Sequence, residues 1–234
     1  MSISHNVWDR FCNQHSVAES SVPLFAADPT GNVECFGYGR DNRPMLRRST
    51  AMREKMVTTV QSILSDDTGN IEGVLYMMHR LDEHQKITPL YIGKAGRHGR
   101  SGAAVSANLK NIDRGEGKFA RWGYNYAYHF GDLSAAALRG HAPGKASPKY
   151  KRWAHALFER TQSSNPRLRF NVRFWCTAWG PDATGIWREF NPCSLAFTEY
   201  LLIGVASSLF PNDLLNEEGV NRTACRAAVG RAEP

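Results

Sequence analysis

No apolar run in the chain approaches the roughly 18 residues that a membrane-crossing helix needs. The N-terminus also lacks a signal-peptide pattern, so the expectation is a cytoplasmic protein with no membrane partner. Cysteine is sparse: Cys12, Cys35, Cys176, Cys193 and Cys225 are scattered, and no two form a C-x-x-C pair. An odd, scattered set argues for reduced cytoplasmic thiols more than for a disulfide framework or structural zinc. Neither a zinc finger nor a helix-turn-helix pattern is present, so any nucleic-acid specificity must come from other segments. Acidic residues are scarce where basic ones are dense. Residues 90–173 hold 4 Asp and Glu against 16 Lys and Arg, whereas residues 1–70 hold 8 against 7. That local excess points to a phosphate-rich partner, because lysine and arginine drive non-specific nucleic-acid binding by neutralising the backbone. A solvated basic face is the plainer alternative.

What is present is ordinary for a folded domain. The 234 residues are 42% hydrophobic and 22% charged, enough for one sizeable core with an added segment. The composition divides the chain into an N-terminal accessory segment (1–70), a main domain (71–218) and a C-terminal tail (219–234). Within the first, residues 1–17 form a short helix burying Val7, Trp8 and Phe11, followed by strands and turns around Asp28, Pro29, Thr30 and Gly31. A helix opening at Ser49 and reaching about Leu64 places Met52, Met56, Val60 and Leu64 at steps of four. Residues 65–73, SDDTGNIEG, read as a linker.

The chain is organised around GVLYMMHRLDEHQKITPLYIGKAG, residues 73–96. Two short apolar runs, GVLYMM and PLYIG, have the branched and aromatic content of strands, and the polar HRLDEHQKIT between them reads as a hairpin loop. Pairing them brings Tyr76 near Tyr91, with Gly93 freeing the backbone and Lys94 leaving the sheet beside them. A basic, glycine-rich loop with Arg97, His98 and Arg100 follows. A helix starting near Lys118 then carries Arg121 in an apolar context, where a charge needs a reason. Further on come a basic insertion with Lys145, Lys149, Lys151 and Arg152, and a helix from about 149 to 160 facing Trp153 and Leu157 inward. From Arg167 to Cys176 the pattern alternates, predicting a half-buried strand with Arg167, Arg169 and Arg173 on its open face, suited to tracking a duplex. Last, a helix capped near Ser194 lines up Leu195, Glu199, Leu202 and Ala206. A glutamate among leucines requires a cation, a basic partner or a hydroxyl.

Tyr76 together with Tyr91-Ile92-Gly93-Lys94-Ala95 resembles the GIY-YIG nuclease family, in its free-standing, restriction-endonuclease-like form. The second half matches to the letter, while Gly73-Val74-Leu75-Tyr76 is one residue longer than GIY. The resemblance covers roughly residues 72–218. It implies an α+β fold with a small, largely antiparallel three-stranded sheet flanked by helices, here with an N-terminal extension and basic insertions. It also implies a metal-dependent endonuclease hydrolysing phosphodiesters of duplex DNA, in restriction or phage defence. On that basis Tyr76 activates water, Tyr91 or Lys94 orients it, and Glu199 holds Mg²⁺ or Mn²⁺. The family's helical arginine corresponds to Arg121, with Arg100 the alternate, and the family's late asparagine to Asn212 or Asn216. Asn125 stands where some relatives have a histidine. The substrate contacts expected are Arg97, His98, Arg100, Lys118, Lys149, Lys151, Arg152, Arg169, Arg173 and Asn216, and a homodimer would let both strands be cut. A silent nucleic-acid-binding protein and an RNA-directed nuclease or toxin are the rival expectations.

Overall fold

The two apolar runs around the tyrosines pair because each is rich in residues that suit a pleated, buried surface. In the computed structural model, which describes residues 3–98, 133–142 and 144–221, they become long antiparallel strands. In chain order the elements are α1 (Ile3–Gln14), α2 (Val17–Ser20), β1 (Val22–Pro23), β2 (Cys35–Tyr38), β3 (Arg43–Leu46), α3 (Thr50–Leu64), β4 (Gly73–Leu81) and β5 (Ile87–Gly96). Then follow α4 (Ser134–Ala137), α5 (Pro148–Leu157), β6 (Arg173–Trp179), a 3₁₀ turn (Arg188–Phe190) and α6 (Leu195–Leu209). The expected α+β class is what the chain adopts.

Two units interleave along the sequence, one formed by residues 1–21, 62–98 and 173–234, the other by 22–61 and 99–172. The first holds the three long strands of a four-stranded antiparallel sheet, in the order β6-β4-β5. Leu75, Met77 and Ile92 on one face of that sheet join Val7, Trp8 and Phe11 of α1 and Leu195, Leu202 and Ile203 of α6 in a single core. The N-terminal helix buries the side chains expected of it, but it does so in the hairpin's own core. A linear division at residue 70 therefore does not follow the packing.

Two strand expectations need correction. The hairpin loop is shorter than its polarity suggested, because β4 runs on through His79, Arg80 and Leu81. Arg80 is accommodated by Asp213, Nη2 to Oδ1 at 2.9 Å, and the turn closes on Asp82, whose Oδ1 accepts from the backbone of His84 and Lys86. Likewise β6 begins only at Arg173, and it is not half-buried: Phe174, Trp175 and Cys176 are all inside. Trp175 belongs to the α1/α6 core, while Phe174 packs on Tyr76 from the opposite face, so both sides of the strand are covered.

The second unit contains the β2–β3 hairpin, most of α3, and α4 and α5. Ser49 Oγ accepts from Met52 N at the start of α3, whose Met52, Met56 and Val60 are fully buried as the spacing predicts, whereas Leu64 is only half-buried and Ile63 is the fully buried residue of that last turn. Ser147 caps α5, and Trp153, Ala154 and Leu157 line its inner face.

Candidate functional site

Register accounts for the tyrosine pair. Tyr76 stands opposite Gly93 in the β4–β5 ladder, and Tyr91 lies two residues before Gly93 on the same face. The two rings are 6.1 Å apart between centroids, and Tyr76 also stacks on Phe174 at 6.0 Å. Gly93 is what lets them close over the strand. A Cβ there would fall 2.5 Å from Tyr76 Oη and 2.8 Å from Tyr91 Cε1. Any larger residue must push at least one ring away. Tyr76 is 4% exposed, whereas Tyr91 is only half-buried and so the more reachable phenol.

Lys94 does not leave the sheet beside the tyrosines as expected: β5 continues to Gly96, and alternation sends Lys94 to the other face, where its cross-strand partner is Leu75 of the α6-facing core. There its Nζ lies 3.7 Å from Glu199 Oε2, with side chains 35% and 21% exposed. Glu199 sits in the second turn of α6, whose start is fixed from two sides: Ser194 Oγ accepts from Phe197 N at 3.3 Å, and Glu72 Oε2 accepts from Leu195 N at 2.9 Å. A carboxylate at a helix N-terminus is favoured by the helix dipole as well as by the hydrogen bond. The helix start and the strand β4 are thereby tied together one residue before Gly73. At that position a Cβ would fall 2.2 Å from the Ala95 carbonyl oxygen and 2.9 Å from Leu195 Cδ2. Thus the structure brings Tyr76 to Tyr91, and Lys94 to Glu199, as two pairs on opposite faces of the end of β5.

The other expected contacts are placed less uniformly. Arg97 does not face outward: its guanidinium meets Asp66 Oδ2 at 2.9 Å and the Asp66 carbonyl at 2.7 Å. Asp66 is in turn held well below the usual carboxylate range, at about 2, by the Thr68 hydroxyl first, then the Ile71 amide and Arg97. The linker read at residues 65–73 is therefore an ordered loop, and Asp66 is a partner that sequence reasoning missed. The Asp-x-Thr pattern signals such a turn, but not its arginine. Asn216 clamps the edge of β5, its Oδ1 accepting from Ile92 N at 3.0 Å and its Nδ2 donating to Ile92 O at 2.8 Å. Arg173 donates to Ser21 Oγ at 2.7 Å and to the Ser21 carbonyl. His98 and Lys151 are exposed, and Lys149 and Arg152 are partly so. Lys149 also lies 5.0 Å over the Trp153 ring. Arg169 lines a cavity of the second unit. Arg100, Lys118, Arg121 and Asn125 lie outside the described residues.

A further group went unnoticed in the sequence. His79 is fully buried in β4, and neither ring nitrogen has a hydrogen-bond partner among the described residues. Burial first, and the cross-strand Arg173 second, push its pKa down to about 3. The Met77 backbone acts in the opposite sense.

Among the described residues, no three His, Cys, Asp or Glu side chains gather to hold a metal ion. What the donor set fits is a hard cation that brings most of its own ligands. Mg²⁺ keeps several waters and commonly binds through one or two carboxylates plus substrate phosphates. Glu199 meets that requirement as a single, part-exposed carboxylate whose 3.7 Å pairing with Lys94 is looser than a hydrogen bond. No protein-family model, curated protein or solved structure matches the chain.

Proposed function

We propose that the chain is a metal-dependent endonuclease that hydrolyses phosphodiester bonds of duplex DNA, with a restriction or phage-defence role. The observation that carries this reading is the end of β5. Two tyrosines close over Gly93, and the next residue, Lys94, meets Glu199 brought from 105 positions further along the chain. For one substrate to meet both pairs, its backbone must cross the C-terminal end of β5, beyond the Asn216 clamp.

In this reading Glu199 would hold the divalent cation, with water and substrate supplying its remaining ligands. Mg²⁺ or Mn²⁺, when bound, supplies charge neutralisation at the scissile group. Tyr91, the more exposed phenol, meets the attacking water, and Tyr76, packed under it, sets its position. Water oxygen forms the new bond to phosphorus, its proton passes to the tyrosine oxygen, and the bond to the 3′ oxygen breaks as that oxygen takes up a proton from solvent. A phenol is a weak base near neutral pH unless a cation stands by it, a role assigned here to Arg121 or Arg100. Lys94 lies beside Glu199 until substrate arrives.

The test is cleavage of supercoiled plasmid, single-stranded DNA and RNA with Mg²⁺ or Mn²⁺, comparing wild type with Glu199→Ala and Tyr91→Phe. Metal-dependent plasmid cutting lost in both variants supports the reading, and a preference for RNA moves the substrate class to an RNA-directed nuclease. One observation favours a second reading, a nucleic-acid-binding protein without hydrolysis. Glu199 already has a cationic neighbour in Lys94, and Tyr76 is nearly inaccessible. Binding that survives Glu199→Ala, with no cutting under either metal, identifies that case.

A further inference from the structure

The second unit contains a cavity of about 510 Å³, a volume within the usual range for small-molecule sites. It is built by irregular pairing. The 166–169 segment runs between two others: Leu168 N donates to Gly31 O at 2.8 Å on one side, and Arg169 N to Leu157 O at 2.9 Å on the other. In an extended segment, alternate residues share a face. Leu168 is accordingly buried while Arg167 and Arg169 emerge together. Each guanidinium is held in place, that of Arg167 by Thr30 and Glu159 of the same lining. Arg167 Nε donates to Thr30 O at 2.8 Å and lies 3.5 Å from Glu159 Oε1, and Arg169 Nε donates to His155 O at 3.3 Å. Among the described residues neither Nη of Arg167 is engaged, so two nitrogens of a pre-positioned cation remain for a ligand.

The rest of the lining has a different character. Phe25 forms a buried floor, Phe170 a half-buried wall, and Asn171 an exposed amide beside them. Asp28, at the rim, spends its oxygens within its own loop, on Thr30 N at 2.9 Å, Thr30 Oγ1 at 2.7 Å and Asn32 Nδ2 at 3.1 Å. It therefore shapes the rim and has little left for a ligand.

We infer that this cavity binds a nucleotide: a planar base against Phe170 over Phe25, read at its edge by Asn171, with its phosphate on Arg167 and Arg169. The aromatic wall supplies sequence-tolerant stacking, and fixed guanidinium forks suit phosphate. The same chemistry is offered by a free mononucleotide or by an unstacked nucleotide within a strand. The inference does not depend on hydrolysis at β5, and it is tested without divalent metal.

Isothermal titration with dAMP, AMP, inorganic phosphate and a 5′-labelled single-stranded DNA 12-mer, the last also by fluorescence anisotropy, measures it on the full chain. Binding of a mononucleotide at least ten times tighter than phosphate is expected. Arg169→Ala and Phe170→Ala should each weaken it about ten-fold, and Asn171→Asp, an exposed change that leaves packing intact, should also weaken it by removing the amide donor at the edge of the base. Tighter binding of the strand than of the mononucleotide, with the same loss in the variants, assigns the ligand to a strand. Equal affinity assigns it to the free nucleotide. Phosphate binding as well as the nucleotide, or full affinity in all three variants with unchanged thermal melts, overturns the inference. Repeating the titration on Glu199→Ala separates the sites, because the cavity keeps its affinity whatever becomes of cleavage.

Discussion

Two ion pairs stand three residues apart at the end of β5, and they are built differently. Arg97 and Asp66 meet at 2.9 Å with side chains 13% and 11% exposed, and the guanidinium makes a second bond to the Asp66 carbonyl. Lys94 and Glu199 meet at 3.7 Å with 35% and 21% exposure. In the first pair each charged group is satisfied by several fixed partners, so separating them strands charge in a poorly solvated place. In the second the attraction is weak and partly screened by water. Arginine's rigid fork suits the structural pair and lysine's flexible ammonium the exchangeable one. The difference separates a contact that holds the strand end from one that can take part in chemistry.

Under the proposed nuclease function, the largest effect expected from breaking this contrast is on plasmid cleavage. Glu199→Gln keeps the shape of the side chain and should cut plasmid cleavage by about 10²–10³-fold, the usual scale for losing a group that stabilises transition-state charge. Its melting temperature should move by no more than a degree or two, because a part-exposed pair contributes little to stability. A variant that cleaves normally but melts early would place Glu199 with Asp66 as a structural carboxylate.

Gly93→Ala comes next, and it asks whether the strand end tolerates any filling. The added methyl meets both tyrosine rings, and overpacking a closed site of this kind costs about 1–3 kcal/mol. Urea unfolding should show a lower midpoint, and cleavage should fall with it because the rings are displaced. Unchanged stability would mean that the rings move aside freely. Asp66→Ala tests the other half of the contrast. Its melting temperature should drop by several degrees, while cleavage per folded molecule stays within about two-fold of wild type. The lowered Asp66 pKa fixes the pH sense: its contribution is present above the ordinary carboxylate range near pH 4 and disappears as the pH falls towards about 2. An acid melt followed in wild type and Asp66→Ala should converge there.

Such contrasts were only partly legible in the sequence. The hairpin, the burial of Val7, Trp8 and Phe11, the stripe of α3 and the placing of Glu199 in α6 all follow from periodicity and capping, because those contacts repeat at helix or strand spacing. Lys94 and Glu199 could be proposed separately, since each is out of place in its local pattern. Partnerships were not legible. Asp66 lies in a stretch with every mark of a linker, and nothing local says that its carboxylate will be claimed by Arg97. Asn216 was read as a substrate contact, yet its amide completes the edge of a strand 124 residues away. His79 and Arg80 carry the polarity of a turn, and only tertiary packing keeps them in the strand. The cavity of the second unit is the extreme case. Its walls come from residues 23–31 and 159–172, joined by single bridges with no repeating pattern.

His79 offers the smallest effect at neutral pH and the cleanest test of what burial does to a charge in this sheet. Arg97 and Asp66 are buried with partners, whereas the His79 ring is buried without them, so it is held neutral. A histidine whose folded pKa lies near 3, against about 6.5 unfolded, binds its proton more readily in the unfolded chain. Its contribution to stability is therefore complete above about pH 6.5 and is lost as the pH falls from there towards 3. Arg173 reinforces this, since a second cation cannot form cheaply beside a guanidinium already fixed to Ser21. His79→Leu removes two unsatisfied nitrogens from an apolar position at similar volume, so stability at pH 7 should stay within about 1 kcal/mol of wild type or rise slightly. Urea midpoints between pH 7 and pH 4.5 should fall for both proteins, because burial also lowers the pKa of His15 and His141, but more steeply for wild type than for the variant. Parallel slopes for the two proteins would mean that His79 finds a proton acceptor in the folded state, and that its burial is paired after all, like that of Arg97.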